Sequence, residues 1–190
     1  MTKGWAHSYG QRGFTIVELL IVIVVIAILA AITIVAFNGI TARANDSKTR
    51  SAVHQFEIAL QTWVQDYGLP IRGGSGSTVA VSNGTCSDGS SGFVGNGTYT
   101  CTVEDALVSA GYLPAGFTTK QPKNTYFGGS SGGQRSIMLY NCGSSKYGLF
   151  WTLQNPSDDD IASIDAVIAV CGNSGVKTSW GMRAGKILQF

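Results

Sequence analysis

One carboxylate, that of Glu18, stands near the start of a long apolar run, where a charged side chain needs an explanation. The run begins within GQRGFTIVELLIVIV, the residues from Gly10 to Val24. A lone charge at mid-bilayer costs about 2.5–3.5 kcal/mol on insertion scales, and less near an end of the span. Because glutamine would cost less, we expect the carboxylate of Glu18 to have a functional partner.

The Gly13–Phe14 junction suggests that partner. Hydrolysis of this peptide bond would leave a free α-amine on Phe14, a group with a pKa of about 7.7–8.0 in model peptides and mostly cationic at neutral pH. Glu18 lies four residues further on, about one helical turn away. In a packed assembly of low dielectric constant the two charges would attract strongly, and burial of either alone would be unfavourable. The spacing predicts that Glu18 fixes the register between subunits.

The segment from Phe14 to Phe37 is long and apolar enough to cross a membrane as a helix. Its only polar side chains are Thr15, Glu18 and Thr33. A helix rises about 1.5 Å per residue, so some 20 such residues span a bilayer core of about 30 Å. Residues 1–13 are polar, and we interpret them as a cytoplasmic leader peptide.

The charge distribution predicts the orientation of this span. The 190 residues include 13 Lys plus Arg and 11 Asp plus Glu, and Lys3 and Arg12 account for the difference. These two precede the span and no acidic residue does, which predicts a cytoplasmic N-terminus, with everything after Asn38 outside. The remainder is neutral and offers no basic footprint for nucleic acid.

Beyond the span, apolar residues at spacings of three and four predict that the helix continues as an amphipathic extension over residues 38–68. They are Val53, Phe56, Leu60, Trp63 and Tyr67. Gly68 and Pro70 then end the helix. The apolar stripe needs a surface to pack on.

Residues 69–190 are predicted to form an extracytoplasmic domain that supplies this surface. Residues 72–98 are rich in glycine and polar residues, which predicts loops. Alternation of apolar and polar residues around Tyr99–Val103 predicts a strand. Residues Glu104–Tyr112 are predicted to form a short helix. Three apolar runs predict further strands: Ser136–Cys142, Tyr147–Leu153 and Ala166–Cys171. We therefore expect an α+β fold, in which a long N-terminal transmembrane-plus-amphipathic helix packs on a C-terminal antiparallel β-sheet.

The cysteines indicate disulfides in an oxidising compartment. Four are present, all beyond the apolar span and without CxxC spacing: Cys86, Cys101, Cys142 and Cys171. Three pairings are possible, and proximity favours Cys86–Cys101 with Cys142–Cys171.

Neither a metal site nor a catalytic set is expected. The two histidines, His7 and His54, precede the outer domain, so that it has no His ligand or base. His54 reads as a surface or partly packed side chain. Asp158-Asp159-Asp160 could offer oxygen ligands to calcium, but three consecutive carboxylates cannot all point one way, so a solvated turn is the preferred interpretation. We expect no enzyme activity and no cofactor.

The residues at the start of the span resemble a known signal. The stretch Gly13-Phe14-Thr15-Ile16-Val17-Glu18-Leu19-Leu20, followed by a long aliphatic run, resembles the processing signal of type IV pilins and of their type II secretion pseudopilin relatives. The detailed similarity covers about residues 10–40. The rest of the chain agrees with the family in architecture.

This resemblance implies how the chain is made and what it contacts. A membrane aspartyl prepilin peptidase would cleave between Gly13 and Phe14 and methylate the new amine of Phe14. Glu18 would pair with the Phe14 amine of a neighbouring subunit in a surface filament used for adhesion, motility or DNA uptake. The implied partners are other pilin subunits, the peptidase, the pilus assembly platform, the inner membrane, and surface receptors or DNA.

The chain also departs from the family pattern. Many members have proline where Val35 stands, and that proline accompanies local unwinding of the helix in filaments; here the helix could loosen at Asn38-Gly39 instead. The acidic calcium motif of the major pseudopilins is missing as well. This favours a pilin over a secretion pseudopilin.

Two other classes stay open. One is a binding module, that is, a minor pilin or pseudopilin whose loops 72–98, 128–135 and 155–160 recognise a surface, DNA or a secreted substrate. The other is a membrane-anchored domain or a secreted one released after Ala44, because Ala42-Arg43-Ala44 is a small-x-small site.

Overall fold

The computed structural model describes residues 13–67, 71–72, 80–81, 102–124 and 136–190. The chain divides into two compact units, the first ending at Ile40 and the second running from Thr41 to Phe190. Helix α1, Ile16–Tyr67, contributes residues to both.

The first unit consists, in its described part, of the apolar half of α1. Between Ile16 and Ile40 only Glu18, Thr33 and Asn38 have polar side chains, and the Thr33 hydroxyl donates to the Leu29 carbonyl at 2.7 Å. Every described side chain from Gly13 to Ile40 is exposed. By length and composition this helix could cross a membrane.

The second half of α1 carries the amphipathic stripe that the sequence predicts. Phe56 and Leu60 are fully buried and Trp63 is 2% exposed. Tyr67 ends the helix at the surface, where its ring stacks on Trp63 with centroids 4.4 Å apart. The opposite face, with Gln55 and the other polar residues, is exposed. The stripe is thus confirmed as the part of α1 that enters the core.

Three strands form an antiparallel sheet, in which each strand pairs with the next along the chain. The strands are β3, Ile137–Gly143; β4, Lys146–Trp151; and β5, Ala184–Gln189. The register places Leu139 opposite Leu149, and Tyr147 opposite Leu188. The first two strands confirm the predictions for residues 136–142 and 147–153. The third strand, β5, was not anticipated.

The prediction of a strand at Ala166–Cys171 is wrong, because these residues form the last part of helix α3, Asp158–Cys171. A short apolar run does not distinguish a strand from a buried helix. The helix begins at a capping box formed by Ser157 and Asp160 and ends at Gly172, whose φ of 71° is the left-handed conformation common at helix ends. Both signals were in the sequence.

Asp158-Asp159-Asp160 is accordingly the first turn of α3 and not a free solvated turn. Asp158 and Asp159 are exposed, but Asp160 is only 7% exposed. The solvated-turn prediction is therefore wrong for Asp160, since this carboxylate has partners within the fold.

Shorter elements complete the second unit. Strands β1, Ile71–Arg72, and β2, Ala80–Val81, pair antiparallel. Helix α2, Val103–Ser109, confirms the predicted short helix, and α4 is Gly175–Thr178. Val103 lies in α2, not in the strand predicted around Tyr99–Val103, and Tyr99 and Cys101 fall outside the described residues. So does most of the predicted loop region 72–98.

The sheet separates two apolar layers. Between the sheet and α1 lie Phe56, Leu60, Leu107, Leu139 and Leu149, among others. Between the sheet and α3 lie Met138, Tyr140, Phe150, Ile164 and Val167, together with Val176 and Met182. Successive strand residues therefore point alternately to α1 and to α3. The α+β prediction is confirmed, and α3 adds a third layer to it.

Two strand glycines let α3 approach the sheet closely. A β-carbon on Gly185 would lie 3.2 Å from Val167 Cγ2, and one on Gly148 would lie 3.0 Å from Cys171 Sγ. Such contacts are tighter than ordinary van der Waals packing, and the Phe150 ring would lie closer still at both positions, so a side chain there would displace Phe150, α3 or both.

Candidate functional site

The residues that the sequence analysis identified as a candidate site lie just before α1 and in its first turn. Gly13, Phe14 and Thr15 are not helical, and α1 begins at Ile16. The Gly13–Phe14 bond therefore lies outside the helical hydrogen-bond pattern. Phe14 is 89% exposed, and a β-carbon on Gly13 would meet no atom within 4 Å. Nothing among the described residues shields this bond or requires a glycine there.

Thr15 and Glu18 form a capping box at the start of α1. The Thr15 backbone N–H donates to Glu18 Oε2 at 2.8 Å, and the Thr15 hydroxyl donates to the same oxygen at 2.7 Å. In return, the Glu18 backbone N–H donates to Thr15 Oγ1 at 3.2 Å. This reciprocal pattern satisfies donors that a helix start otherwise leaves unpaired. The Thr-x-x-Glu spacing is the signal that could have predicted it.

The capping box leaves half of the Glu18 carboxylate available. Both accepted hydrogen bonds end at Oε2, and no donor among the described residues reaches Oε1. A carboxylate has about four lone-pair sites. The Glu18 side chain can therefore cap its own helix and accept a hydrogen bond from a cation of another molecule.

The apolar half of α1 presents a continuous exposed surface behind this carboxylate. Large side chains around the whole helix are about half exposed or more, including Ile16 at 85%, Ile26 at 58% and Phe37 at 66%. Soluble proteins rarely expose contiguous apolar surface on this scale. The helix needs lipid or other apolar helices around it.

The alternative cleavage site, Ala42-Arg43-Ala44, lies inside α1. A peptide bond within a regular helix must unwind before a protease can bind it in extended form. The Gly13–Phe14 bond needs no such unwinding, because it precedes the helix. Of the two candidate bonds, only Gly13–Phe14 lies outside the regular helix.

In the second unit, Asp46 and Arg50 of α1 hold the start of α3, a role that sequence reasoning missed. Asp46 accepts from the backbone N–H groups of Gln154 and Asn155 at 2.7 and 2.8 Å. Arg50 binds Asp160 with two hydrogen bonds, of 2.7 and 2.6 Å. Hydrogen bonding to the Arg50 guanidinium, aided by Ser157, lowers the pKa of Asp160 to about 2, and the same pair raises the pKa of Arg50.

A disulfide joins Cys142, in β3, to Cys171, at the end of α3, with their Cα atoms 4.4 Å apart. This bond is one of the two in the favoured pairing. Cys86 and Cys101 lie outside the described residues, so the other bond stays a prediction. The disulfide fixes the end of α3 that lies opposite the Asp160 ion pair.

The metal-binding residue types do not gather in the described part of the chain, where no group of three His, Cys, Asp or Glu side chains could hold an ion. His54 lies on the exposed face of α1, in agreement with the surface interpretation. Trp63 is buried in the core, and Trp151 is partly buried and packs against the same cluster.

A family model and several known proteins are similar to this chain in the region that includes Gly13, Phe14 and Glu18. The family described as "Prokaryotic N-terminal methylation motif" matches residues 9–34. A type IV major fimbrial protein FimA of Dichelobacter nodosus is 43% identical over 56 residues, 30% of this chain and 36% of that protein. Another FimA of the same species is 31% identical over 137 residues, 69% of this chain and 77% of that protein. The type IV major pilin protein PilE of Neisseria gonorrhoeae is 38% identical over 63 residues, 30% of this chain and 38% of that protein.

These alignments differ in extent. The chain spans only about a third of the length of the first FimA proteins, at 36%, but most of one other. No solved structure matches significantly. A long apolar helix that begins with a methylation motif and continues into an α+β body defines the class of pilin-like subunits. The chain belongs to the type IV pilin family.

Proposed function

We propose that this chain is a structural subunit of a type IV pilus-like surface filament. In this proposal it is made as a single-pass membrane precursor, cleaved between Gly13 and Phe14, methylated on the Phe14 amine and packed through α1 into the filament core. The observation that carries the proposal is the Glu18 carboxylate, which caps α1 with Oε2 and leaves Oε1 without a donor among the described residues. It stands at the start of an exposed apolar helix.

Processing would supply the missing donor. Cleavage before Phe14 creates a primary amine one residue ahead of the capping box. This cation lies at the positive end of its own helix dipole, where it is unfavourable. The Glu18 carboxylate of a neighbouring subunit can neutralise it, and the apolar surroundings strengthen the attraction. Each added subunit thereby satisfies the charge that the previous one leaves open.

The membrane holds the precursor before assembly. Lys3 and Arg12 precede the span, which supports a cytoplasmic leader and an outer body from about Asn38 onward. A prepilin peptidase acting at the cytoplasmic face would reach the non-helical residues Gly13 to Thr15. The apolar surface of α1 would then exchange lipid for the helices of other subunits, at an assembly platform in the inner membrane.

The relatives favour a structural subunit over a tip or secretion module. They are named as major fimbrial or major pilin proteins. Disulfide-braced packing of α3 onto the sheet gives the body a rigid form suited to a repeating unit.

The test is the substitution Glu18→Ala, with Thr15→Val as its matched control. Glu18→Ala removes the charge and the cap, whereas Thr15→Val removes the capping hydroxyl but keeps the charge. We expect Glu18→Ala to be inserted and cleaved normally but to lower the yield of sheared filaments about tenfold or more, the effect of losing ~1.4 kcal/mol of subunit affinity. Thr15→Val should retain most of the yield. A normal filament yield from Glu18→Ala would refute the charge-pairing mechanism.

The mass of the N-terminal peptide tests the processing step. We expect the protein from cells to begin at methylated Phe14. Gly13→Leu should accumulate as uncut precursor, although the substitution meets no clash within the chain itself, because the steric limit would belong to the peptidase. A mature start at Asn45 or at Met1 would contradict the proposal.

A further inference from the structure

Almost every described carboxylate of this chain has a partner within the chain. Eight of them accept a hydrogen bond or form an ion pair: Glu18, Asp46, Glu57, Asp66, Glu104, Asp105, Asp160 and Asp165. Asp158 and Asp159 are the two that have none among the described residues. Both are exposed in the first turn of α3. The helix dipole favours carboxylates there, but Asp160 alone closes the capping box.

The position of this acidic pair is fixed relative to α1. Asp160, the next residue, is bound to Arg50 of α1. Asp158 and Asp159 therefore lie beside α1 at the level of Arg50, on the side of the helix to which Arg50 points.

A groove whose one charged residue is basic, Lys48, runs along the other side of α1. Its volume is about 390 Å³, and its lining consists of Ala44, Ser47, Lys48, Ser51, Ala52, Gln55 and Gln121. Lys48 and Arg50 are two residues apart, which places them about 200° apart around the helix axis. Lys48 is exposed and has no carboxylate partner in the described part of the chain. Small residues on either side of it allow another backbone to approach closely.

We propose that this groove binds the first turn of α3 of a second copy of the chain, with Asp158 and Asp159 paired to Lys48. The inference rests on the proposed filament function. The groove is open to solvent and wide enough to admit side chains of another molecule. Charge complementarity favours this occupant, because the described part of the chain gives neither the two carboxylates nor the Lys48 ammonium group an ion-pair partner.

The arrangement also predicts an open polymer. The two surfaces lie at the same level of α1 but on opposite sides of it, so copies with parallel α1 helices can join side by side. Such a contact is heterologous: each copy gives one surface to one neighbour and the other surface to the next. Heterologous contacts form rings or helical filaments, depending on whether the rotation closes. Exposed ion pairs are individually weak, but they select register and partner.

Charge reversal tests the pairing. We expect Lys48→Glu to lower the yield of sheared filaments about fivefold, because it places like charges in the contact. Asp158→Lys with Asp159→Lys should lower it similarly, and the combination of all three changes should restore most of it. Lys146→Glu, which reverses one charge at the start of β4 away from the groove, is the matched control and should leave the yield unchanged.

Cysteine trapping tests the geometry without relying on charge. Ser51 and Asp159 are both exposed, one in the groove and one on α3. A chain carrying Ser51→Cys and Asp159→Cys should form a ladder of covalent multimers on non-reducing gels, whereas either single variant should stop at dimers. The ladder should disappear on reduction.

The outcomes separate this inference from the function on which it rests. Normal filament yield from Lys48→Glu and from the reversed α3 turn, with no cysteine ladder, would overturn the contact, even if Glu18→Ala abolishes filaments. Failure of Glu18→Ala to affect filaments would instead overturn the pairing of Glu18 with the Phe14 amine. The groove contact would then be decided by the filament yield of the triple charge-reversal variant. Restored assembly in the triple variant supports the contact.

Discussion

The described part of the chain has the same capping box at the start of three helices, α1, α2 and α3, and the carboxylate is completed differently in α1 and in α3. In α1 the Thr15 hydroxyl accepts from the Glu18 backbone N–H at 3.2 Å, and the Glu18 carboxylate accepts from the Thr15 backbone N–H at 2.8 Å. In α3 Ser157 and Asp160 make the same two hydrogen bonds, also at 3.2 and 2.8 Å. In α3 the same carboxylate also binds Arg50 within the fold. In α1 Glu18 Oε1 has no such donor among the described residues.

This difference extends to the apolar side chains around each motif. Phe56 and Phe150 in the second unit are 0% exposed, while Phe14 is 89% exposed. The second unit pairs its buried charges and buries most of its large apolar side chains internally, as a stable fold requires. The first unit leaves both for other molecules. A local motif therefore does not reveal its role until its remaining partners are known.

The largest effect expected from this comparison is on core packing. Phe56→Ala should lower the free energy of unfolding of the body by about 3–5 kcal/mol, because it removes a fully buried ring. Leu20→Ala, in the exposed half of α1, should leave that free energy unchanged. Chemical denaturation of the full chain in detergent, followed by circular dichroism, measures both. Equal effects would show that the two regions are not energetically distinct.

A smaller effect is expected where the two capping boxes differ. Asp160→Asn should lower the free energy of unfolding by about 2 kcal/mol, because it leaves the half-exposed Arg50 without its counter-ion. Glu18→Gln should not change the unfolding of the body. If Asp160→Asn proves neutral, the ion pair does not hold α3 in place.

The pH dependence sharpens the same point. The pKa of Asp160 falls from an ordinary 3.8 to about 2 in the fold, chiefly because Arg50 binds its charged form. A lowered pKa gives stability that is complete above the unfolded value and is lost as pH falls through the folded value. The difference in stability between wild type and Asp160→Asn should therefore shrink between about pH 4 and pH 2. A difference that stays constant over this range would contradict the assignment.

The smallest effect expected is that of a capping hydroxyl. Ser157→Ala should destabilise the body by about 1 kcal/mol, the usual cost of losing an N-cap, and Ser157→Thr should retain most of the stability. Thr15→Ala, the equivalent change in the first unit, should leave unfolding of the body unaffected. Thermal unfolding of the three variants tests this. A loss from Thr15→Ala as large as that from Ser157→Ala would remove the distinction between the motifs.

The sequence by itself determined the parts of this protein that depend on local pattern. The apolar span and the stripe from Val53 to Trp63 follow from composition and a period of 3.6 residues, which need no distant contact, and the motif at Gly13 to Glu18 was recognised by its resemblance to a family signal. Strands β3 and β4 were predicted because each is a local apolar run. The family followed from the spacing of a few residues at the start of α1.

The tertiary structure alone determined the features that depend on contacts between residues far apart in the sequence. Whether Ala166–Cys171 becomes a strand or a helix depends on its surroundings, since an apolar run suits either; here Gly148 and Gly185 leave room for a helix against the sheet. The partner of Asp160 lies 110 residues away at Arg50. Only the fold shows that Asp160 has partners within the chain and that Asp158 and Asp159 have none among the described residues, because a sequence gives the type of each charge but not its neighbours.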